Sequence, residues 1–596
     1  MLTNLFSKIN RFYLIVVVVF LLLFPLWANC KAIDPISGNR MLYWVCFLLG
    51  LLLSRGILRK NTTLHITILD LLIGVFFIYK TVLLFTTDSA SISEKYTTAS
   101  LWVSYYIFRN IEKCKLPYLL YALLASSFIQ CLYGQLQLWG IFKSYHSQFG
   151  ITGSFFNPSP YAGFLSMVLP VALLLFFFRH HITDSFFAKW KIGKVAIITM
   201  CFILIVLPST NSRAAWLAAL IVTGVILWHT FFVEKIEKLS ERSRFLFFTT
   251  IFVVAITTAL GMFYLNKDSV NGRLFIWQVS AQMVREKPLF GSGIDAFQQK
   301  YMLHQAAFFQ SRPLHPAMEL ADNVIYVYNE PYKVLIELGI IGIFLVICIG
   351  ICVLFPSGEK NVLCKMAQAA LLSLFVFGLF SYPSAILLLR VCMVLFVSMV
   401  ACYSLPVKTL NMRHSILYSG VLLLGFLLCV PFAMDKINTC HRAFQEWKQG
   451  VIFYYKAEYV QTINCFDAAF PTLQTDFIFL VQYGKALSLS GNDERAIDVL
   501  NQASKYSNNS ILYITLGDCY KNLHQYQKSE DAYLMAYYMV PNRFYPLYLL
   551  AKLYHETGQS TKFEDIACKV LYKQPKVPSK AIDEMKTEIR QLKERN

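Results

Sequence analysis

The chain has 596 residues, 56% of them hydrophobic and only 15% charged, with a formal net charge of +19. An average soluble domain carries about a quarter charged residues, so a soluble enzyme, a disordered chain and a small disulfide scaffold are excluded. The surplus charge belongs to the apolar part: 34 Lys and Arg against 17 Asp and Glu precede residue 433, and 20 against 18 follow it. No basic stripe lies on a soluble surface, so nucleic acid is not an expected partner.

In chain order, apolar runs of the length that crosses a bilayer, roughly 20 residues, centre near 12–28, 41–54, 66–85, 95–108, 116–139, 161–178, 194–208, 213–232, 245–265, 332–355, 362–381, 384–405 and 414–432. The first, following Lys8 and Arg11, reads as a span rather than a cleaved signal, and the fourth is the weakest. The expected fold is all-α: a polytopic membrane bundle of twelve to thirteen helices over residues 1–432, followed by a soluble helical domain over 433–596. With the N-terminus in the cytoplasm, 20 Lys and Arg fall on the cytoplasmic side and 5 in the short loops opposite, the bias that orients membrane proteins. The 15 cysteines form no CxxC and no Cys/His metal spacing, so they read as small apolar residues in helices, and no metal is expected.

One loop on the outer side is long, residues 266–331, and loops of this length are usually functional. It opens with a helical stretch from Arg273 to Val284, ended by Pro288 and the Gly291-Ser292-Gly293 turn. Apolar positions 274, 277, 281 and 284 share a face, which suits a helix lying on the membrane or packed under the bundle. Beyond residue 433 a period emerges: Gly450, Gly484, Gly517 and Ala551 are spaced 34, 33 and 34, and Pro541 and Pro575 are 34 apart. This resembles the tetratricopeptide repeat, whose stacked helix pairs form a concave surface for a peptide or protein partner.

No Walker, HExxH or GxSxG motif is present. Four cations toward the outer face remain: Arg213 at the end of the eighth run, Arg273 in the long loop, Arg390 inside the twelfth run and Lys80 in the third. Several cations at one membrane face can hold a polyanion carried by a lipid, and a diphosphate leaving group needs such neutralisation. An acceptor hydroxyl needs a general base, for which the long loop offers His304, His315, Asp322 and Glu330.

Four segments resemble the O-antigen ligase and polymerase superfamily of bacterial membrane glycosyltransferases, which includes protein O-oligosaccharyltransferases. They are Gly153-Ser-Phe-Phe-Asn157-Pro through Gly163; Ser212-Arg213-Ala-Ala-Trp; Gly272-Arg273-Leu-Phe-Ile-Trp277 with Lys287-Pro288-Leu-Phe-Gly291-Ser-Gly293; and Tyr328-Asn329-Glu330 with Leu335-Ile-Glu337-Leu-Gly339-Ile-Ile-Gly342. The resemblance implies a multi-pass protein of the bacterial inner membrane with the long loop and tail in the periplasm. It implies a polyprenyl-diphosphate-linked glycan as donor, transferred with inversion and without metal or cofactor. The acceptor is a lipid A core, the growing glycan or a protein, and membrane lipids surround the bundle. Arg213 and Arg273 are implied to hold the diphosphate, with Asn157, Asn329, Arg390 and Lys80 as further binding candidates. Family ligases usually have a histidine where this chain has Tyr328, so the base is expected at Glu330 first, His315 second, with Tyr328 itself a poor base. Two other readings stay open: a transporter with Asp70, Lys80 and Arg390 on a midplane path, and a membrane-anchored repeat scaffold without chemistry.

The charge bias places the tail outside the cytoplasm. A cysteine introduced as Ser560→Cys, in a background without reactive cysteines, is expected to react with an impermeant reagent in intact cells. Labelling only after lysis would overturn the orientation.

Overall fold

The computed structural model describes residues 14–27, 61–87, 90–182, 186–233, scattered positions between 238 and 261, 267–313, 315–358, 361–413, 416–576 and 578–595. The runs expected near 41–54 and over most of 245–265 lie outside the described residues. In chain order the membrane part comprises β1 (Asn61–Thr67), α1 (Ile68–Thr86), α2 (Ile92–Arg109), α3 (Leu116–Leu138), α4 (Pro158–Phe178), α5 (Phe186–Ser209) and α6 (Arg213–Leu227). Then come α7 (Lys267–Glu286), α8 (Ala296–Ser311), α9 (Glu330–Leu354), α10 (Val362–Gly378), α11 (Leu387–Tyr403), β2 (Pro406–Arg413) and α12 (Ile416–Tyr455). Among the described residues six helices are long and apolar enough to cross a membrane, and 14–26, 362–378 and 387–403 are shorter apolar helices of the same bundle. The chain is a multi-pass membrane protein with an all-α bundle.

Local chemistry sets where these helices begin. Thr67 and Asp70 form a reciprocal capping box at α1, and Ser91, Asn157, Asn329 and Asn361 accept N-terminal amide protons at α2, α4, α9 and α10. Such caps satisfy donors that a helix start leaves unpaired. The axis of the bundle is α4, with Tyr161, Phe164, Leu165, Met167 and Leu175 fully buried and α5, α6 and α10 packed around it. Gly163 lets α10 approach so closely that a Cβ there would meet the Phe377 ring at 2.6 Å.

A feature absent from the sequence reading is a two-stranded antiparallel ribbon, β1 with β2, pairing Asn61 with Arg413 at one end. It joins two segments that the charge bias assigns to the same side of the membrane. Beside the other ribbon end, where Thr67 pairs with Pro406, Asp70 accepts from Tyr105 (2.6 Å) and from Arg109 Nε (3.0 Å).

At the opposite end the long loop folds into a helical unit of α7, α8 and a turn at Pro316–Leu320. The face expected on α7 packs in part: Trp277 and Val284 are half-buried against the loop cluster, Leu274 is 52% exposed, and the deepest residues are Phe275, Ile276, Val279 and Met283. The partner of α7 is not lipid: Phe275 packs on Phe308 and Phe309 of α8, in a cluster that includes Met539 and Val540 from the C-terminal domain.

This unit is fastened to the bundle by a backbone joint. Helix α9 is broken at Gly339, whose φ is 66° and ψ −165°. The turn 287–293 inserts there: Ser292 N donates to Ile336 O (2.8 Å), Gly293 N to Glu337 O (3.0 Å) and Ile340 N to Pro288 O (2.9 Å). Tyr79 Oη adds a bond to Leu338 O at 2.8 Å. Gly291 and Gly339 meet backbone against backbone, with no room for a Cβ on either. Helix breaks at membrane depth persist only where the freed groups find partners.

The C-terminal domain follows without a break at 432/433, because α12 runs for 40 residues across that position. Then come α13 (Tyr459–Leu473), α14 (Phe477–Leu489), α15 (Asp493–Ser504), α16 (Ser510–Asn522), α17 (Tyr526–Met539), α18 (Tyr545–Glu556), α19 (Ser560–Tyr572) and α20 (Lys580–Arg595). Helices pair as α12–α13, α14–α15, α16–α17 and α18–α19. The period seen in the sequence is a packing period: Gly450 faces Phe466, Gly484 faces Leu500 and Gly517 faces Tyr533, each nearer than a side chain would permit.

The joint gives a stability prediction. Gly339→Ala forces an L side chain into positive φ against backbone, so a loss of more than about 2 kcal/mol is expected. Gly350→Ala, with open space around it, is expected to be neutral or slightly stabilising. Thermal unfolding of the detergent-solubilised chain checks both, and equal midpoints would contradict the joint.

Candidate functional site

A cavity of 490 Å³ opens between the loop end of the bundle, the loop unit and the C-terminal domain. Its floor carries Lys80 from α1, Glu94 from α2, Glu330, Lys333 and Glu337 from α9, and Arg390 from α11. One wall is the segment 323–329, and the roof includes Phe444, Asp476, Phe477 and Asn508.

The floor is an ion-pair network. Arg390 forks onto Glu94, Nη1 to Oε2 at 2.9 Å and Nη2 to Oε1 at 2.6 Å, and Lys80 Nζ reaches Glu94 Oε1 at 3.0 Å. The three side chains are 10%, 5% and 16% exposed. Two of the four cations expected toward the outer face are therefore already held by one carboxylate. Glu94 escaped the sequence reading, although an acid inside an apolar run is a signal in itself. The same signal marks Lys333 and Glu337, an i,i+4 pair within α9. Asp70, ten residues before Lys80, is engaged by Arg109 and Tyr105, about 15 Å away along α1, so those contacts form no single path with Lys80 and Arg390.

Neither Arg213 nor Arg273 lines the cavity. Arg213 is the first residue of α6 and Arg273 lies in α7, 60 positions on. The Arg273 guanidinium sits over the Tyr328 ring, 5.3 Å from its centroid. Burial pulls Arg273 below the usual arginine range; Tyr328 opposes this and Arg213 adds to it. An anion bound beside Arg273 would offset that desolvation and repulsion. Tyr328 also touches Tyr382 (5.6 Å) and Tyr326 (6.1 Å), and those two stack at 3.9 Å. All three tyrosines line the cavity, so an aromatic wall stands between the arginine pair and the ion-pair floor. Tyr328 holds a φ of 57°, a strained backbone for a bulky residue, of the kind that clusters at functional sites.

Asn329 and Glu330 divide their work. Asn329 Oδ1 caps α9 by accepting from Tyr332 N at 2.8 Å, and its Nδ2 donates to Leu379 O. Capping is thus done by Asn329, and the Glu330 carboxylate is turned elsewhere. Its Oε1 accepts from Ser384 N at 3.0 Å, and the residue lines the cavity. Burial pushes the Tyr328 phenol above its ordinary value of about 10, only partly countered by Arg273, which makes it a still poorer base at neutral pH.

The other candidates lie apart from the cavity. His315 Nδ1 accepts from Ala317 N (3.1 Å) in the turn at 316–320, and its ring packs on Phe308. His304 faces Glu286 at 3.8 Å, and Asp322 pairs with Arg543 at 3.1 Å. Asn157 caps α4 by accepting from Ser159 N, whose hydroxyl meets Ser381 at 3.0 Å. The segment before it is clamped by Gln130 and Gln137, which bond the backbone of Thr152, Gly153 and Ser154. Among the described residues no three His, Cys, Asp or Glu side chains converge as metal ligands.

Residues 198–347 match the family described as O-Antigen ligase. That stretch holds Arg213, Arg273, Tyr328, Asn329, Glu330 and the whole backbone joint, and the match over it supports the O-antigen ligase superfamily, a family that implies glycosyltransferase-type activity. Lys80, Asn157, Arg390 and the C-terminal helix pairs lie outside it. No curated protein matches the chain.

The ion network yields a further prediction. Glu94→Gln strips both buried cations of their counter-charge and is expected to cost about 3–5 kcal/mol. Lys80→Met leaves the Arg390 fork in place and is expected to cost clearly less. Unfolding midpoints that rank the two the other way would refute Glu94 as the common partner.

Proposed function

We propose that the chain transfers a glycan from a polyprenyl-diphosphate carrier to an acceptor hydroxyl at the periplasmic face of a bacterial inner membrane. The observation that carries this reading is the Arg273 guanidinium over the Tyr328 ring, with Arg213 near enough to act on its charge, within the O-antigen ligase stretch, and with Tyr328 and Glu330 lining one cavity. The arginine pair takes the diphosphate, and the guanidinium forks supply the charge that the leaving group needs. Glu330, with one carboxylate oxygen fixed by Ser384 N, takes the acceptor proton. The acceptor oxygen bonds to the anomeric carbon as the carbon–phosphate oxygen bond breaks, and the electron pair leaves with the carrier diphosphate. Attack opposite the leaving group inverts the anomeric centre, and neither a metal nor a cofactor is required.

In this reading Lys80 and Arg390 shape the acceptor side through Glu94 rather than bind the donor, Asn329 positions a helix end at the site, and Asn157 caps α4 behind it. The helix pairs act as tetratricopeptide repeats toward a partner or acceptor. Lipid A core, growing glycan and protein are the competing acceptor classes.

Arg213→Lys keeps charge but loses the fork, and Arg273→Ala loses both, so each is expected to abolish most transfer at normal protein level. Glu330→Gln is expected to slow transfer about 10²-fold or more while donor binding persists. A deletion strain complemented with each variant, read for transferred glycan and accumulated carrier-linked donor, checks this. Wild-type transfer in both arginine variants would remove the diphosphate clamp, and wild-type transfer in Glu330→Gln would remove the base.

A further inference from the structure

The acceptor class is written into the surfaces around the cavity. The lining carries five carboxylates, Glu94, Asp295, Glu330, Glu337 and Asp476, against three cations, Lys80, Lys333 and Arg390. At least two of those cations are committed to Glu94. A phosphate-rich lipid acceptor would bring like charge into this space, at a cost that rises as water is excluded.

A second surface joins the first. On the C-terminal domain, α12, α13 and α14 enclose an apolar groove of 290 Å³, lined by residues such as Val451, Tyr454, Tyr455 and Val481. Phe477, Ile478 and Asn509 line both the groove and the cavity, so the two adjoin. Ile478 and Ile511 are 46% and 42% exposed there, and Tyr455 is 84% exposed. A glycan, polar along its whole length, gains little from such a groove, whereas a chain with apolar side chains gains their burial.

The third element is the cavity wall itself. Residues 323–329 line the cavity one after another. Through 327 they form no helix and pair with no strand among the described residues. The peptide N–H and carbonyl of Ile325 have no hydrogen-bond partner among the described residues, and its side chain is 55% exposed. Trp277 Nε1 holds the neighbouring Val327 carbonyl at 2.9 Å, which anchors the segment from behind. The Ile325 peptide group on this cavity-lining segment can bond the backbone of an extended ligand.

We propose that the acceptor is a polypeptide, its apolar side chains seated in the α12–α14 groove and its backbone led along residues 323–329 to present a serine or threonine hydroxyl to Glu330. This rests on the glycosyltransferase reading and narrows its acceptor. The bond formed joins the side-chain oxygen to the anomeric carbon, the carrier diphosphate departs, and the hydroxyl proton passes to Glu330. The C-terminal domain is then a wall of the acceptor site, held in place by α8.

The test uses the full chain in a deletion strain, with Ile478→Arg and Ile511→Arg combined to place charge in the exposed groove while Arg213, Arg273 and Glu330 stay unaltered. In the wild type, the transferred glycan is expected to shift in size on protease digestion and to be released by β-elimination. In the double variant, protein-linked glycan is expected to fall about tenfold or more, with carrier-linked donor accumulating and chain level unchanged. Transferred glycan that resists protease and extracts with lipid, or that appears as longer free polymer, would overturn the polypeptide acceptor and leave the glycosyltransferase standing. Full protein glycosylation in the double variant would overturn the groove. Undiminished transfer of every kind in Arg213→Lys and Arg273→Ala would instead strike the underlying reading.

Discussion

The joint at Gly339 is the constraint on which the site depends. A bilayer interior offers no water to a broken helix, so the groups freed in α9 must be met by protein. The turn 287–293 meets them with its own backbone, and it can do so only because Gly291 and Gly339 carry no side chains between the two strands of chain. The same contacts fix α7 and α8 on the bundle. They therefore set where Arg273 stands relative to Asn329 and Glu330 at the start of α9. Two of the four segments that resemble the ligase superfamily are the halves of this joint, and their glycines serve architecture rather than chemistry.

Charge is the second organising fact. Four cations toward one membrane face suggest a single anion clamp, but burial forbids leaving them unpaired. Glu94 absorbs Lys80 and Arg390, and the arginine pair is set apart behind Tyr326, Tyr328 and Tyr382. The result is a division: a cationic side fitted to a leaving diphosphate, and a carboxylate-rich side fitted to something that is not strongly anionic. Glu330 stands on the second side, with Ser384 N holding one oxygen and Ser384 Oγ bonded to Lys333.

The C-terminal helix pairs are docked rather than tethered. Gln305 Nε2 donates to Met539 O, Asn508 Nδ2 to Gln299 O, and Asn542 Nδ2 to Ala321 O, while Arg543 pairs with Asp322. These polar contacts surround the apolar cluster that buries Met539 and Val540 against α7 and α8. Any ligand entering the cavity meets the domain as part of its wall.

Much of this was legible in the sequence, and the division between what was and was not follows from range. Apolar runs, caps such as Asn157 and Asn329, the Gly291-Ser292-Gly293 turn and the 33–34 residue period are properties of neighbouring residues, so local pattern determined the helices, the membrane class and the paired tail. Superfamily resemblance pointed to Arg213, Arg273 and the Asn329-Glu330 pair. Pairing across long separations has no local signature. Glu94 with Arg390, β1 with β2, and the turn 287–293 with Gly339 are contacts that the tertiary structure alone decided. The buried face of α7 was legible only in part for the same reason: periodicity marked Trp277 and Val284, which pack, but the partner, here α8 and the C-terminal domain, selects Phe275, Ile276, Val279 and Met283 as the deepest residues and leaves Leu274 exposed.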